Sequence, residues 1–165
     1  MILVRVEEEY ASYSTKKRPA IPIIKEIIKN FSDQEIIVMG RYTSQVRHLD
    51  QTFGKKIRVF NKIVDSKILL ENAGVFVGSG GTMTAESALL GIPTISYNAV
   101  PNIIEAYLVR KKLVIRETNP KQVVISIRKI LGSSNLEIKK KSKKMLNSME
   151  DPYPILVKTM KSVLK

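Results

Sequence analysis

The sequence predicts an α/β fold, a three-layer sandwich in which helices cover both faces of a sheet of about six parallel strands. Two observations carry the prediction. Short apolar runs rich in Ile and Val recur along the 165 residues, and segments with helical spacing separate them. Strands that alternate with helices in this way form βαβ units, and such units build parallel sheets.

The runs are ILVRV (2–6), EIIVMG (35–40), IRVF (57–60), VFVG (75–78), PTISY (93–97) and LVIR (113–116). Each is apolar enough to be buried on both faces. Helical spacing joins Ile21, Ile24, Ile27, Ile28 and Phe31; then Val46 and Leu49; then Ile68, Leu69 and Ala73. It resumes over Thr84 to Leu90, Ile103 to Val109, and Val123, Ile127, Ile130 and Leu131. Asn119-Pro120 starts that last helix and Gly132 ends it, by ordinary cap chemistry. Ser133 to Met149 reads as a basic amphipathic helix with Leu136, Met145 and Met149 among its few apolar anchors. Asp151-Pro152-Tyr153-Pro154 breaks it, because proline lacks the N–H and restricts the residue before it. A final helix is expected from about Ile155 to Leu164. The expected division is a main domain over 1–150 and a C-terminal helix over 151–165.

The length suits one domain with a full core. There is no cysteine and one histidine, which excludes a disulfide framework, thiolate metal sites and a typical imidazole-rich metal site. No metal is expected. MILVRVEEEY lacks the basic start and long apolar core of a signal peptide, and no apolar run approaches the roughly 18–20 residues of a membrane span. A cytoplasmic location follows as an expectation. The formal charge of +13 is clustered in KKR (16–18), KKIR (55–58), RKK (110–112) and KKKSKK (139–144). Such a field attracts polyanions in general, whether nucleotides, nucleic acid or anionic membranes.

The most informative unit is GVFVGSGGTMTAESALLGIPTISY over residues 74–97. It reads as strand, glycine turn, helix, strand. Gly78, Gly80 and Gly81 let the backbone bend with positive φ and let a ligand come close. Thr82 and Thr84 open a helix whose unpaired N–H groups favour an anion. Glu86 follows on that helix at a depth that suits a ribose diol, since a carboxylate accepts from two hydroxyls. No Gly-Lys-Ser or Gly-Lys-Thr follows the glycines, and they come after the fourth strand rather than the first. The Walker and dinucleotide fingerprints are therefore absent. The same residues also suit a plain strand-to-helix turn with Glu86 as a surface acid.

SGGTMTAESALLGIP resembles the diphosphate-binding motif in the C-terminal domain of GT-B glycosyltransferases. The bacterial enzyme that adds N-acetylglucosamine to the peptidoglycan lipid intermediate is one example, and the corresponding region of UDP-N-acetylglucosamine 2-epimerase is similar. Over nearly the whole chain, starting at LVRVEEEYASY, the sequence resembles an uncharacterised, largely archaeal family of GT-B-like proteins classed as a domain of unknown function. The resemblance implies a Rossmann-like sandwich that forms the C-terminal half of a GT-B fold. It further implies that Ser79, Gly80, Gly81, Thr82, Met83 and Thr84 line a diphosphate and that Glu86 holds the ribose. Ile63, in FNKIVD, matches the place where uracil is held, while Asn98, Asn102 and Glu105 fall where the sugar lies. The implied ligand is a nucleotide-sugar, with UDP first, and no separate cofactor.

Two departures from that pattern matter. The usual glycine-rich loop after the first strand is replaced by EEEYASYSTKKRP, where Lys16, Lys17 and Arg18 are candidate phosphate contacts. A GT-B cleft also needs two domains, and one is present. An N-terminal domain in cis or a partner subunit is therefore expected, with the C-terminal helix packed on it.

Other candidates carry less. His48, in RYTSQVRHLDQ, has no Ser or Cys partner nearby and reads as a surface-helix residue. Glu7, Glu8 and Glu9 read as a solvated loop that closes the first strand. Lys139 to Lys144 lack interleaved aromatics, so a solvated face comes first, a peripheral anionic membrane contact next and nucleic acid last. The rival to nucleotide-sugar binding is a non-enzymatic module that uses these basic clusters or the final helix. No general base is identifiable, so catalysis by this chain alone is not expected and the catalytic residues are unknown.

Overall fold

The computed structural model describes residues 1–10, 19–60, 65–97, 99 and 102–163. Six strands form one sheet: β1 (Ile2–Arg5), β2 (Ile36–Met39), β3 (Arg58–Phe60), β4 (Val75–Gly78), β5 (Thr94–Ser96) and β6 (Val114–Arg116). All neighbours pair in parallel, in the order β3-β2-β1-β4-β5-β6. Ile2 faces Ile36 on one side and Val75 on the other, so β1 is central and its apolar run is buried throughout.

Successive side chains leave a strand on opposite faces, and the core divides accordingly. Ile2, Val4, Val38, Val75, Val77 and Ile95 pack beneath α1 (Ala20–Asn30), α2 (Thr43–Phe53) and α6 (Pro120–Leu131). Leu3, Ile37 and Phe76 pack on the other face with Leu69, Leu70 and Ala73, around α3 (Ser66–Glu71). There α4 (Thr82–Leu89) and α5 (Ile103–Arg110) extend the layer through Ala88, Leu108, Leu113 and Val114. The three-layer sandwich of the sequence analysis is realised.

Cap chemistry explains α6 as expected. The Asn119 side chain accepts from the Lys121 and Gln122 amides, Pro120 occupies the first turn and Gly132 closes the helix. The basic segment after it forms α7 (Leu136–Asn147), but its anchors differ from those expected. Leu136 and Met149 are exposed, whereas Met145 packs beside Ala88 and Leu108. The principal anchor is polar: Ser142 is buried and donates its hydroxyl to the Leu89 carbonyl at the end of α4. Gly91 makes this approach possible, since a Cβ there would stand 3.0 Å from the Lys139 Cα. Its φ of +76° is also one that a side chain disfavours. Gly91→Ala is expected to cost about 1–3 kcal/mol through both effects. Thermal unfolding checks this, and an unchanged melting temperature would show that α7 does not need this contact.

The last helix, α8, spans Pro152–Val163 and so starts earlier than the sequence suggests. Pro152 and Pro154 interrupt the chain after α7 as anticipated, yet both belong to the first turn of α8. Backbone N–H groups have no helical acceptor there, so proline loses nothing. None of the described residues of α8 is buried. No helix among the described residues is long and apolar enough to cross a membrane.

Candidate functional site

Strand order reverses between β1 and β4: from β1 the chain builds outward to β3, and from β4 it builds outward to β6. Crossover helices lie on opposite faces on the two sides of such a point, which opens a crevice beyond the C-terminal ends of the two strands. The turn from β4 to α4 sits at this crevice. A Cβ at Gly78 would lie 2.5 Å from the Phe76 ring and 2.5 Å from Thr84 Oγ1, so β4 can only end in glycine. Gly80 has φ of +100° and donates its N–H to Thr84 Oγ1 at 3.2 Å. Gly81 is the N-cap of α4, its carbonyl accepting from the Thr84 and Ala85 amides. The N-cap is a glycine, so it offers no side-chain oxygen to α4. Its first-turn amides and the positive end of its dipole therefore face the crevice with no cap from the N-cap residue itself.

A cation completes the cradle. Arg41 follows β2, and its Nη2 lies 3.7 Å from where a Gly81 Cβ would stand, which places the guanidinium beside the start of α4. Arg41 Nε is 3.7 Å from a Glu8 oxygen, and the same carboxylate accepts from the Tyr42 hydroxyl and the Tyr10 amide. These bonds, Tyr42 first, hold the Glu8 carboxyl below its ordinary range. Asn102 reaches the turn from the other side, donating Nδ2 to the Gly80 carbonyl at 2.6 Å while its Oδ1 caps α5 through the Glu105 amide.

The other expected contacts are distributed unevenly. Ser79 is buried; Thr84 is buried and bonded to Gly80; the Met83 side chain packs into the Leu3–Phe76 core. These three side chains face inward, so the segment can meet a ligand mainly through backbone. Thr82 and Glu86 are exposed on α4. Glu105 is 1% exposed, with both oxygens held by Arg116, Nε at 3.0 Å from Oε1. It serves as an ion-pair member that links α5 to β6. Ile63, Asn98, Lys16, Lys17 and Arg18 lie outside the described residues.

Beneath the cradle is a buried polar network. Glu7 is 3% exposed, contrary to the solvated loop expected of the acidic run. Its Oε2 accepts from the Tyr97 hydroxyl at 3.0 Å and the Ala20 amide at 3.3 Å, and its carbonyl accepts from Gln45. Gln45 in turn accepts from the Arg41 amide at 2.8 Å. Tyr97 also donates to the Arg5 carbonyl at 2.9 Å. The network ties the ends of β1, β2 and β5 to the start of α1. Burial raises the Tyr97 phenol well above its ordinary value, with the Glu7 charge adding to it. Burial likewise raises the Glu7 carboxyl, which its hydrogen bonds only partly offset.

A raised folded-state carboxyl means that the native chain holds its proton to higher pH than the unfolded chain does. This contribution to stability is present at acid pH and is lost as pH rises through the interval above the ordinary carboxyl range. Glu7→Gln removes the titration. The melting temperature of the parent relative to the variant should fall as pH rises above the ordinary carboxyl range. A pH-independent difference would contradict the assignment.

Of this site, sequence reasoning missed Arg41, Glu7 and Tyr97. Each stands at or just past the C-terminal end of a strand, the one positional signal available to it. Among the described residues, no group of three or more His, Asp or Glu could hold a metal ion.

A parallel sheet in this order, with a glycine turn at its switch point, defines a Rossmann-like α/β domain. The chain belongs to the family described as "Protein of unknown function (DUF354)", whose model matches residues 1–165. An uncharacterized protein of Methanocaldococcus jannaschii is 28% identical over 157 residues, covering 94% of this chain and 42% of its own length. UDP-GlcNAc 2-epimerase of the same organism, solved with UDP-GlcNAc and UDP, superposes with a TM-score of 0.62 at 16% identity, over 88% of this chain and 44% of the epimerase. The spinosyn forosaminyltransferase SpnP gives 0.64 at 13% identity, over 99% of this chain and 44% of SpnP. The Neisseria meningitidis UDP-GlcNAc 2-epimerase gives 0.61 at 15% identity, over 98% and 43%. The chain thus spans less than half the length of each.

Proposed function

We propose that this domain binds a nucleotide-sugar, UDP-linked in the first instance, as the donor half of a GT-B-type glycosyltransferase or epimerase-like protein. The observation that carries the reading is the glycine turn at the switch point, N-capped by a glycine, with the Arg41 guanidinium beside Gly81. Backbone amides of Gly81, Thr82 and Met83 would meet the diphosphate, and Arg41 would neutralise it. Glu86, exposed on α4, would take the ribose hydroxyls. Asn102 would stand at the sugar side. Ile63 for the base and Asn98 for the sugar belong to the reading through the family resemblance alone, and Lys16, Lys17 and Arg18 for phosphate through their charge alone. A second domain, in cis or from a partner chain, would supply the acceptor wall and the catalytic base. The length of the relatives supports this. A cytoplasmic location is part of the same reading.

Calorimetric titration with UDP and UDP-GlcNAc tests it. Each hydrogen bond to a carboxylate contributes about 1.5–3 kcal/mol. Glu86→Ala should therefore weaken UDP binding by about tenfold or more. The melting temperature should stay nearly unchanged, because the side chain is exposed. A variant that loses stability and keeps its affinity would make Glu86 a structural residue and leave the ribose contact without support.

A further inference from the structure

At the end of the sheet opposite the cradle, where β2 and β3 begin, a groove of about 800 Å³ opens between α1, α2 and the 3₁₀ turn at Gly54–Lys56. Ile28, Phe31, Ile36, Phe53 and Ile57 wall it. These side chains also belong to or pack against the main core, so the walls are fixed. The mouth is cationic. Lys25 and Lys29 lie one turn apart on α1, facing Lys55, Lys56 and Arg58. Glu35, the acid in the lining, is committed to an ion pair with Arg58. Arg128 adds charge from α6, its guanidinium 6.0 Å from the Phe31 ring centroid.

The volume lies within the range of small-molecule sites, roughly 300–1,000 Å³. Hydrocarbon walls favour an apolar body through removal of surface from water, and a lysine rim favours an anionic head as a set of point charges. A free nucleotide would leave the walls wet, and a neutral lipid would leave the rim unmatched. We propose that this groove binds a single amphiphilic lipid anion, its chain between the walls and its head among Lys25, Lys29, Lys55 and Lys56.

The probe is decyl phosphate below its micelle concentration, titrated into the chain by calorimetry, with inorganic phosphate and decyl maltoside as controls. The expected result is saturable one-to-one binding, at least tenfold tighter than either control. Lys55→Glu with Lys56→Glu should weaken it at least tenfold, while Lys140→Glu with Lys143→Glu on α7 should leave it unchanged. All four lysines are exposed, so neither double variant threatens folding. Binding no tighter than inorganic phosphate, or equal loss in both double variants, would reduce the effect to the general charge of the chain and overturn the proposal. Self-association abolished by the Lys55 and Lys56 changes would make a second copy the occupant and overturn it equally. UDP affinity should be the same in both double variants, so failure here is separable from failure of the nucleotide-sugar reading.

Discussion

Gly78→Ala is expected to destabilise the domain by about 3 kcal/mol, at the upper end of the range for overpacking. The new methyl would stand 2.5 Å from the Phe76 ring, which is 0% exposed and cannot swing aside. It would also stand 2.5 Å from Thr84 Oγ1, the acceptor of the Gly80 N–H. Relief on the Phe76 side disturbs the core, and relief on the Thr84 side breaks the bond that shapes the turn. The loss should appear in denaturant unfolding as a lower midpoint at constant slope. A variant as stable as the parent would mean that the turn is not built as described. Any nucleotide affinity that survives in the folded fraction should also drop, because Gly80 and Gly81 lose their geometry together.

Arg41→Ala should do the reverse, weakening UDP binding strongly while sparing the fold. A charge-assisted hydrogen bond to phosphate contributes about 1.5–3 kcal/mol, or roughly tenfold to a hundredfold in affinity. The side chain is 34% exposed and its ion pair to Glu8 spans 3.7 Å, so the stability change should stay within about 0.5 kcal/mol. Arg41→Lys should recover part of the loss, keeping the charge without the planar fork. Affinity unchanged in Arg41→Ala would remove the guanidinium from the ligand site.

The contrast between these two residues shows what could be read from the sequence. The Gly78–Gly81 turn was legible because it is local: a run of glycines after an apolar strand has few other uses. The six strands were legible for the same reason, each being a short apolar run, and Asn119, Pro120 and Gly132 marked α6 by local cap chemistry. Arg41 was not legible. It precedes Gly81 by a long stretch of chain, and the two meet because β1 lies between β2 and β4 in the sheet. Strand order must be known before that contact can be inferred. Glu7 and Tyr97 were hidden in the same way, by pairing across strand ends rather than along a strand. The anchoring of α7 was misjudged because apolar periodicity does not register a buried serine bonded to a distant carbonyl, nor a glycine that admits a neighbouring helix. Glu105 resembled a ligand residue by position, whereas Arg116 occupies its carboxylate.

The central claim is that the β4–α4 turn receives a nucleotide diphosphate, and amide chemical shifts of the isotope-labelled chain under UDP titration test it most directly. Saturable shifts are expected at Gly80, Gly81, Thr82, Met83 and Thr84, with the Arg41 side-chain N–H moving in step. Amides that stay fixed at millimolar UDP, or shifts confined to the lysine-rimmed groove around Lys55 and Lys56, would contradict it.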